Sequence, residues 1–259
     1  MILEDFHVHS TYCDGKNTLE EMVRSAIDLK MTRIGFSGHA YTAFSEVYCM
    51  SFENTERYAQ DIAELKEKYK DKIEILCGLE MDYFSDKPQI KTDYLIGSVH
   101  YVKKDEKFLD VDSAEEHFKG YVKNYFDGDY YAYAEAYYAF VGDVINKTNA
   151  DIVGHFDLCS KFNEGNRLFD TQNPRYIAAA KAAIDKLVLC GKPFEINTGA
   201  ISRGYRTEAY PEMQFLKYIA EKGGRVILCS DSHSANTLCY KFSEYERIAN
   251  DMGFNDLRF

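Results

Sequence analysis

The chain has no tryptophan, only 4 prolines in 259 residues, and no two cysteines spaced as CxxC. With 46% apolar residues, 28% charged residues and 16 glycines, it is neither collagen-like, low-complexity nor disordered. Its 7 cysteines (Cys13, Cys49, Cys77, Cys159, Cys190, Cys229 and Cys239) are odd in number and dispersed. That pattern argues against a disulfide framework or a structural zinc ribbon, and the residues read as small apolar packing groups. No run approaches eighteen apolar residues, and MILEDFHVHS has no basic stretch ahead of an apolar one. A soluble, cytoplasmic protein with no membrane contact is expected. Positive charge is also short: 31 Lys plus Arg face 42 Asp plus Glu, for a net −11 with neutral histidine. Nucleic acids are bound through clustered cations, so no nucleic-acid partner is expected; a local pocket for one small anion remains compatible with that balance.

The apolar residues form short β-rich runs that alternate with longer stretches of helical period, and no linker or charge block divides them. A single domain, 1–259, is predicted. Strands are expected at Ile2–Val8, Arg33–Ser37, Ile73–Leu79, Tyr94–Val99, Asp151–His155, Pro193–Asn197 and Arg225–Ser230. Thr18-Leu19-Glu20-Glu21 is a capping box, followed by Leu19, Met22, Val23, Ala26 and Ile27 on one helical face. Asn173-Pro174 opens a helix that continues through Ile177 to Leu189 and stops at Gly191, and Pro211 and Gly223 bracket another. Further helices are predicted from about Asn54 to Tyr69, Tyr130 to Ile145 and Ser243 to Met252. The second of these, rich in tyrosine, reads as a packing surface. Parallel neighbours need long crossovers, so the alternation implies a parallel α/β sheet, open or closed into a barrel.

Of the 7 histidines, six (His7, His9, His39, His100, His155 and His233) fall at or just past the C-terminal end of a predicted strand; His117 does not. Glu80, Glu195, Asp231 and Asp14 follow the same rule. In a parallel barrel all those ends open on one face. Residues i and i+2 of a strand share a side roughly 7 Å apart, so His7 and His9 can reach a common ion. Imidazoles and carboxylates without thiolate suit Zn, Mn or Fe, and such a set can hold two or three ions. Taken singly, each residue has an ordinary alternative: Asp14-Gly15 a turn, Asp231 a helix N-cap beside Ser232, Glu195 a partner of backbone groups at the rim, and Cys13 and Cys159 packing.

The strings DFHVHSTYCDG, SGHA at His39, GLEMDY at Glu80, GSVH at His100, GHFD at His155, FEINTG at Glu195 and SDSH at Asp231 to His233 resemble, in order, the polymerase-and-histidinol-phosphatase (PHP) superfamily. The contexts are most similar to its monofunctional histidinol-phosphate phosphatases. The resemblance implies a distorted TIM-like (β/α)7 barrel, in accord with the seven strands. It implies one metal on His7, His9, Glu80 and Asp231, with Glu80 bridging to a second on His100 and His155, and a third on Asp14, His39 and His233. Many relatives carry histidine where this chain has Asp14. Glu195 is not a ligand in that scheme and is left as a rim or substrate-contacting residue.

The activity implied is hydrolysis of L-histidinol phosphate to L-histidinol and phosphate in histidine biosynthesis, by in-line attack of a metal-activated hydroxide. Asp231 is expected to accept a proton and His39 or His233 to assist the leaving group. Arg203, then Arg206 and Lys161, are the expected phosphate-binding cations. Three rivals stand beside this reading: a related phosphoesterase acting on phosphotyrosine, nucleotides or sugar phosphates; a metal-dependent amidohydrolase, which usually bridges its metals through a modified lysine; and a metal-storing module without turnover.

Overall fold

A computed structural model describes residues 3–45 and 47–259, so the start of the first predicted strand at Ile2 lies outside the described residues. Seven parallel strands, β1 (Glu4–Val8), β2 (Arg33–Phe36), β3 (Glu74–Asp82), β4 (Tyr94–Ser98), β7 (Ile152–Val153), β8 (Phe194–Asn197) and β9 (Val226–Cys229), hydrogen-bond in that order. Beyond the end of β9, the Ser232 N–H donates to the His7 carbonyl and the His9 N–H to the Ser232 carbonyl, each at 2.9 Å. The edge strands therefore meet, and the sheet is a nearly closed barrel. Phe6, Tyr94, Ile96, Ile152, Ile227 and Cys229 pack together although their strands are not all neighbours, which makes them the apolar filling of the barrel.

Helices cover the outside. The capping box forms as expected ahead of α1 (Leu19–Asp28), and Leu19, Met22, Val23 and Ala26 are buried. The other predicted helices are α2 (Phe52–Tyr69), α6 (Pro174–Leu189), α8 (Met213–Glu221) and α9 (Phe242–Asp251). The predicted Tyr130 to Ile145 helix is two: α4 (Tyr130–Val141) ends at Gly142, and α5 (Val144–Thr148) restarts after Asp143. Glycine and aspartate are both weak helix formers, and Gly142 lies tight against Ala183, where an added Cβ would stand 3.2 Å from the Ala183 Cα. Tyr133, Tyr137 and Tyr138 of α4 are core residues.

Four of the described strands and α-helices were not predicted. A hairpin, β5 (Tyr101–Lys104) and β6 (Lys107–Asp110), follows β4, and α3 (Glu115–Tyr125) and the short α7 (Gly199–Ser202) complete the chain. The hairpin turns on Asp105 and Glu106, both at positive φ (48° and 60°), a two-residue turn that usually announces itself by glycine or asparagine. Here it carries neither.

Candidate metal centre

The strand ends deliver the polar residues to one place. His7 lies on β1, with His9 just beyond it; Glu80 lies on β3; His39, His100, His155 and Asp231 follow β2, β4, β7 and β9 within three residues. Asp14 arrives on a loop that folds back onto β1. Gly15 permits this, because a Cβ there would lie 2.5 Å from the Ser10 backbone nitrogen. Asp231 sits at φ 50°, a left-handed backbone uncommon for non-glycine residues and concentrated at functional sites. It caps no helix.

Glu80, 1% exposed, is the centre of the arrangement. Its Oε2 lies 3.2 Å from His7 Nε2, 3.6 Å from His9 Nε2 and 3.0 Å from His39 Nδ1. Its Oε1 lies 2.9 Å from His155 Nε2 and 3.3 Å from His100 Nε2. Asp231 Oδ1 stands 3.3 Å from His9 Nε2 and 3.7 Å from His7 Nε2. A further group gathers on Asp14, whose Oδ1 is 3.5 Å from His9 Nδ1 and 3.6 Å from His39 Nε2, and whose Oδ2 is 3.1 Å from His233 Nε2. His9 thus stands beside the set Asp14, His39 and His233 as well as beside Glu80 and Asp231.

These groups fit divalent metal. Ligands at 2.0–2.1 Å from one tetrahedral ion stand roughly 3.3 Å apart, and the separations around His7, His9, Glu80 and Asp231 span 3.2 to 3.7 Å. His7 Nε2, His9 Nε2 and Glu80 Oε2 are buried without a hydrogen-bond partner, a cost that proteins rarely leave uncompensated. Burial would pull the His7, His39 and His100 pKa values down, but nearby carboxylates outweigh it: His7 and His39 rise well above the ordinary value and His100 to about 10. Burial would raise Glu80 and Asp231; histidines hold Glu80 well below the usual carboxylate range, and Arg203 with His7 does the same for Asp231. His9 is driven down to about 3 by burial and by its neighbours His233 and His39.

A cavity of about 590 Å³ opens over this cluster, and Asp14, His39, Glu80, His100, Asp231 and His233 line it. Arg203 lines it too, donating from Nη2 to Asp231 Oδ2 and from Nη1 to the Asp231 carbonyl, both at 2.8 Å. Gly199 makes room for that pair, since a Cβ would lie 2.8 Å from both Arg203 Nη2 and Asp231 Oδ2. Lys161 reaches the same cavity, with Nζ 3.1 Å from Asp112 Oδ2 and 4.5 Å above the Tyr205 ring. Arg206 does not join them. Its guanidinium is buried against Glu212 Oε1 at 3.6 Å and over the Tyr210 ring, and it donates to Ser160 Oγ, so expecting it at the phosphate is corrected by its burial between carboxylates.

Other placements differ from the sequence reading. Glu195 is fully buried, not at the rim: its Oε2 is 2.8 Å from His7 Nδ1, and its Oε1 accepts from the His155 N–H and, at 2.8 Å, from Asn197 Nδ2. Cys159 packs in the core and Cys13 packs against buried apolar residues, both as expected, with Cys13 Sγ also 3.5 Å from His9 Nδ1. His117 does reach the cavity, carried there by α3, with Nδ1 3.1 Å from Ser113 Oγ. Asp82, which sequence reasoning missed, accepts the His100 N–H at 2.7 Å, and Ser98 donates to Glu80 Oε1 at 2.6 Å. Glu80 is the carboxylate with histidine nitrogens on both of its oxygens, and Lys161, the lysine of the cavity, pairs with Asp112.

Comparison with known proteins gives the same outline. The histidinol-phosphatase of Bacillus subtilis is 26% identical over 263 residues, covering 93% of this chain and 97% of its own. A solved protein of Listeria monocytogenes superposes with a TM-score of 0.81 at 21% identity, over 93% of this chain and 99% of its own. The histidinol phosphate phosphatase of Lactococcus lactis, solved with zinc, L-histidinol and phosphate, gives a TM-score of 0.73 at 21% identity, over 98% and 95%. The PHP domain model matches residues 5–199. With its histidines and carboxylates at the open end of a seven-stranded barrel, the chain belongs to the PHP domain family.

Proposed function

We propose that residues 1–259 act as one metal-dependent phosphomonoesterase domain that hydrolyses L-histidinol phosphate to L-histidinol and phosphate. The observation that carries this reading is Glu80, buried with both oxygens among histidine nitrogens, in a cavity that is also lined by the guanidinium held on Asp231. The near full-length relatives named histidinol-phosphatase support the choice of substrate. Zn, Mn or Fe suits the donor set; His7, His9, Glu80 and Asp231 would hold one ion, Glu80, His100 and His155 a second, and Asp14, His39 and His233 a third. When bound, such ions acidify water and offset charge on phosphoryl oxygens.

The chain's own residues supply the remainder. Arg203 presents N–H groups to a phosphate oxygen while holding Asp231 Oδ2, and Lys161 adds a second cation to the lining. The Asp231 carboxylate takes the proton of the attacking water, and where the third position holds no ion, His233 Nε2, paired with Asp14, or His39 protonates the leaving alkoxide. Seven free cysteines fit a reducing, cytoplasmic setting, and among the described residues no helix is long and apolar enough to cross a membrane. The test is a panel of phosphate monoesters with added zinc or manganese. A kcat/KM for L-histidinol phosphate about tenfold or more above those for phosphotyrosine, nucleotides and sugar phosphates is expected; equal values, or no turnover, would overturn the assignment.

A further inference from the structure

Glu195 lies outside the ligand set yet touches two of its members. The carboxylate and the His7 ring are both 0% exposed, and Glu195 Oε2 stands 2.8 Å from His7 Nδ1. A carboxylate only accepts, so the proton of a neutral His7 sits on Nδ1, and Nε2 is left bare toward Glu80 and Asp231. Glu195 Oε1 is occupied as well, by the His155 N–H and the Asn197 amide. The geometry points to Glu195 as a positioning residue that sets the His7 tautomer and, through the His155 backbone, ties the two sides of Glu80 together, so that metal affinity depends on one carboxylate that binds no metal. This rests on the metal reading of the site.

The arrangement makes an unusual forecast for Glu195→Gln. Both oxygens of Glu195 accept hydrogen bonds, but glutamine has one acceptor and one donor group. With its oxygen kept on the His155 N–H and the Asn197 amide, its NH2 faces His7 Nδ1. That donor selects the opposite tautomer, with a proton on Nε2 aimed at Glu80 and Asp231. Glutamine keeps the volume and much of the packing, so a purely structural role ranks it milder than Glu195→Ala. Tautomer control ranks it equal or worse, because the cavity left by alanine imposes no donor on Nδ1.

The measurement is zinc retained by the purified holoprotein against increasing chelator, read by mass spectrometry. Loss of a carboxylate behind a metal-bound histidine costs typically 10–100-fold in affinity. Glu195→Gln is therefore expected to release its zinc at chelator concentrations about 10–100-fold lower than the native chain, and no later than Glu195→Ala. A glutamine variant that outlasts the alanine variant, or two variants that match the native chain, would overturn the inference. A direct proton–nitrogen correlation for His7 Nδ1 in the native chain tests the same point without any variant folding, and its absence would overturn it. A native chain that keeps no zinc at all would refute the metal centre itself, a separate failure.

Discussion

Replacing Arg203 by alanine removes a fork of donors that already holds Asp231 at two points, 2.8 Å from Oδ2 and 2.8 Å from the carbonyl. A guanidinium has five N–H groups, and those not committed to Asp231 belong to a side chain that lines the cavity. A hydrogen bond to a charged group contributes about 1.5–3 kcal/mol. At 1.36 kcal/mol per decade, losing one such bond to phosphate lowers kcat/KM about 10–150-fold. The inhibition constant for inorganic phosphate should rise by a similar factor, because the product makes the same contact. Arg203→Lys keeps the charge without the fork and should fall between the two. Zinc counted on the same preparations separates a direct contact from a displaced Asp231. Metal retained with weakened phosphate binding is the expected result. Unchanged kcat/KM and phosphate inhibition, or a deficit wholly explained by lost metal, would refute the reasoning.

Two further outcomes follow from the surroundings of the site. Arg206→Ala should act on stability rather than on substrate, because it leaves Asp157 and Glu212 buried without their cation; burial and Glu212 already push the Asp157 carboxyl up to about 7, so protonation relieves part of the penalty. A cost of about 3 kcal/mol, or roughly 6–12 °C in Tm, is expected with KM little changed, and a raised KM with native Tm would restore Arg206 to the phosphate. The second outcome concerns pH. A histidine whose folded-state pKa is raised contributes stability that is complete below its unfolded value near 6.5 and lost as pH climbs through the folded value, about 10 for His100. Chelator-treated protein should therefore lose Tm between about pH 6.5 and 10, whereas zinc-loaded protein, whose ligands need no protons, should hold it; parallel curves would refute this.

What the sequence made legible is a matter of which forces are local. The barrel strands show as β-rich runs because both of their faces are covered, and the α1 capping box reads directly because Thr18 and Glu21 satisfy one another's backbone across a single turn. The six histidines at strand ends could be gathered because topology alone brings those ends to one face. His117 escaped that rule, since it enters the cavity from α3 after an unpredicted hairpin whose turn residues, Asp105 and Glu106, lack the usual signature. The strand at Asp151–His155 was overextended for a related reason: pairing stops at Val153, and the His155 N–H turns to the Glu195 side chain instead of a neighbouring strand. Arg203 and Arg206 lie three residues apart on one loop, yet one meets Asp231 and the other Glu212. Residue type and strand position suffice to name a set of ligands. What stands behind each ligand depends on side chains arriving from far along the chain, as Glu195 does at His7 from 188 residues away, and no periodicity encodes which ring nitrogen they will meet.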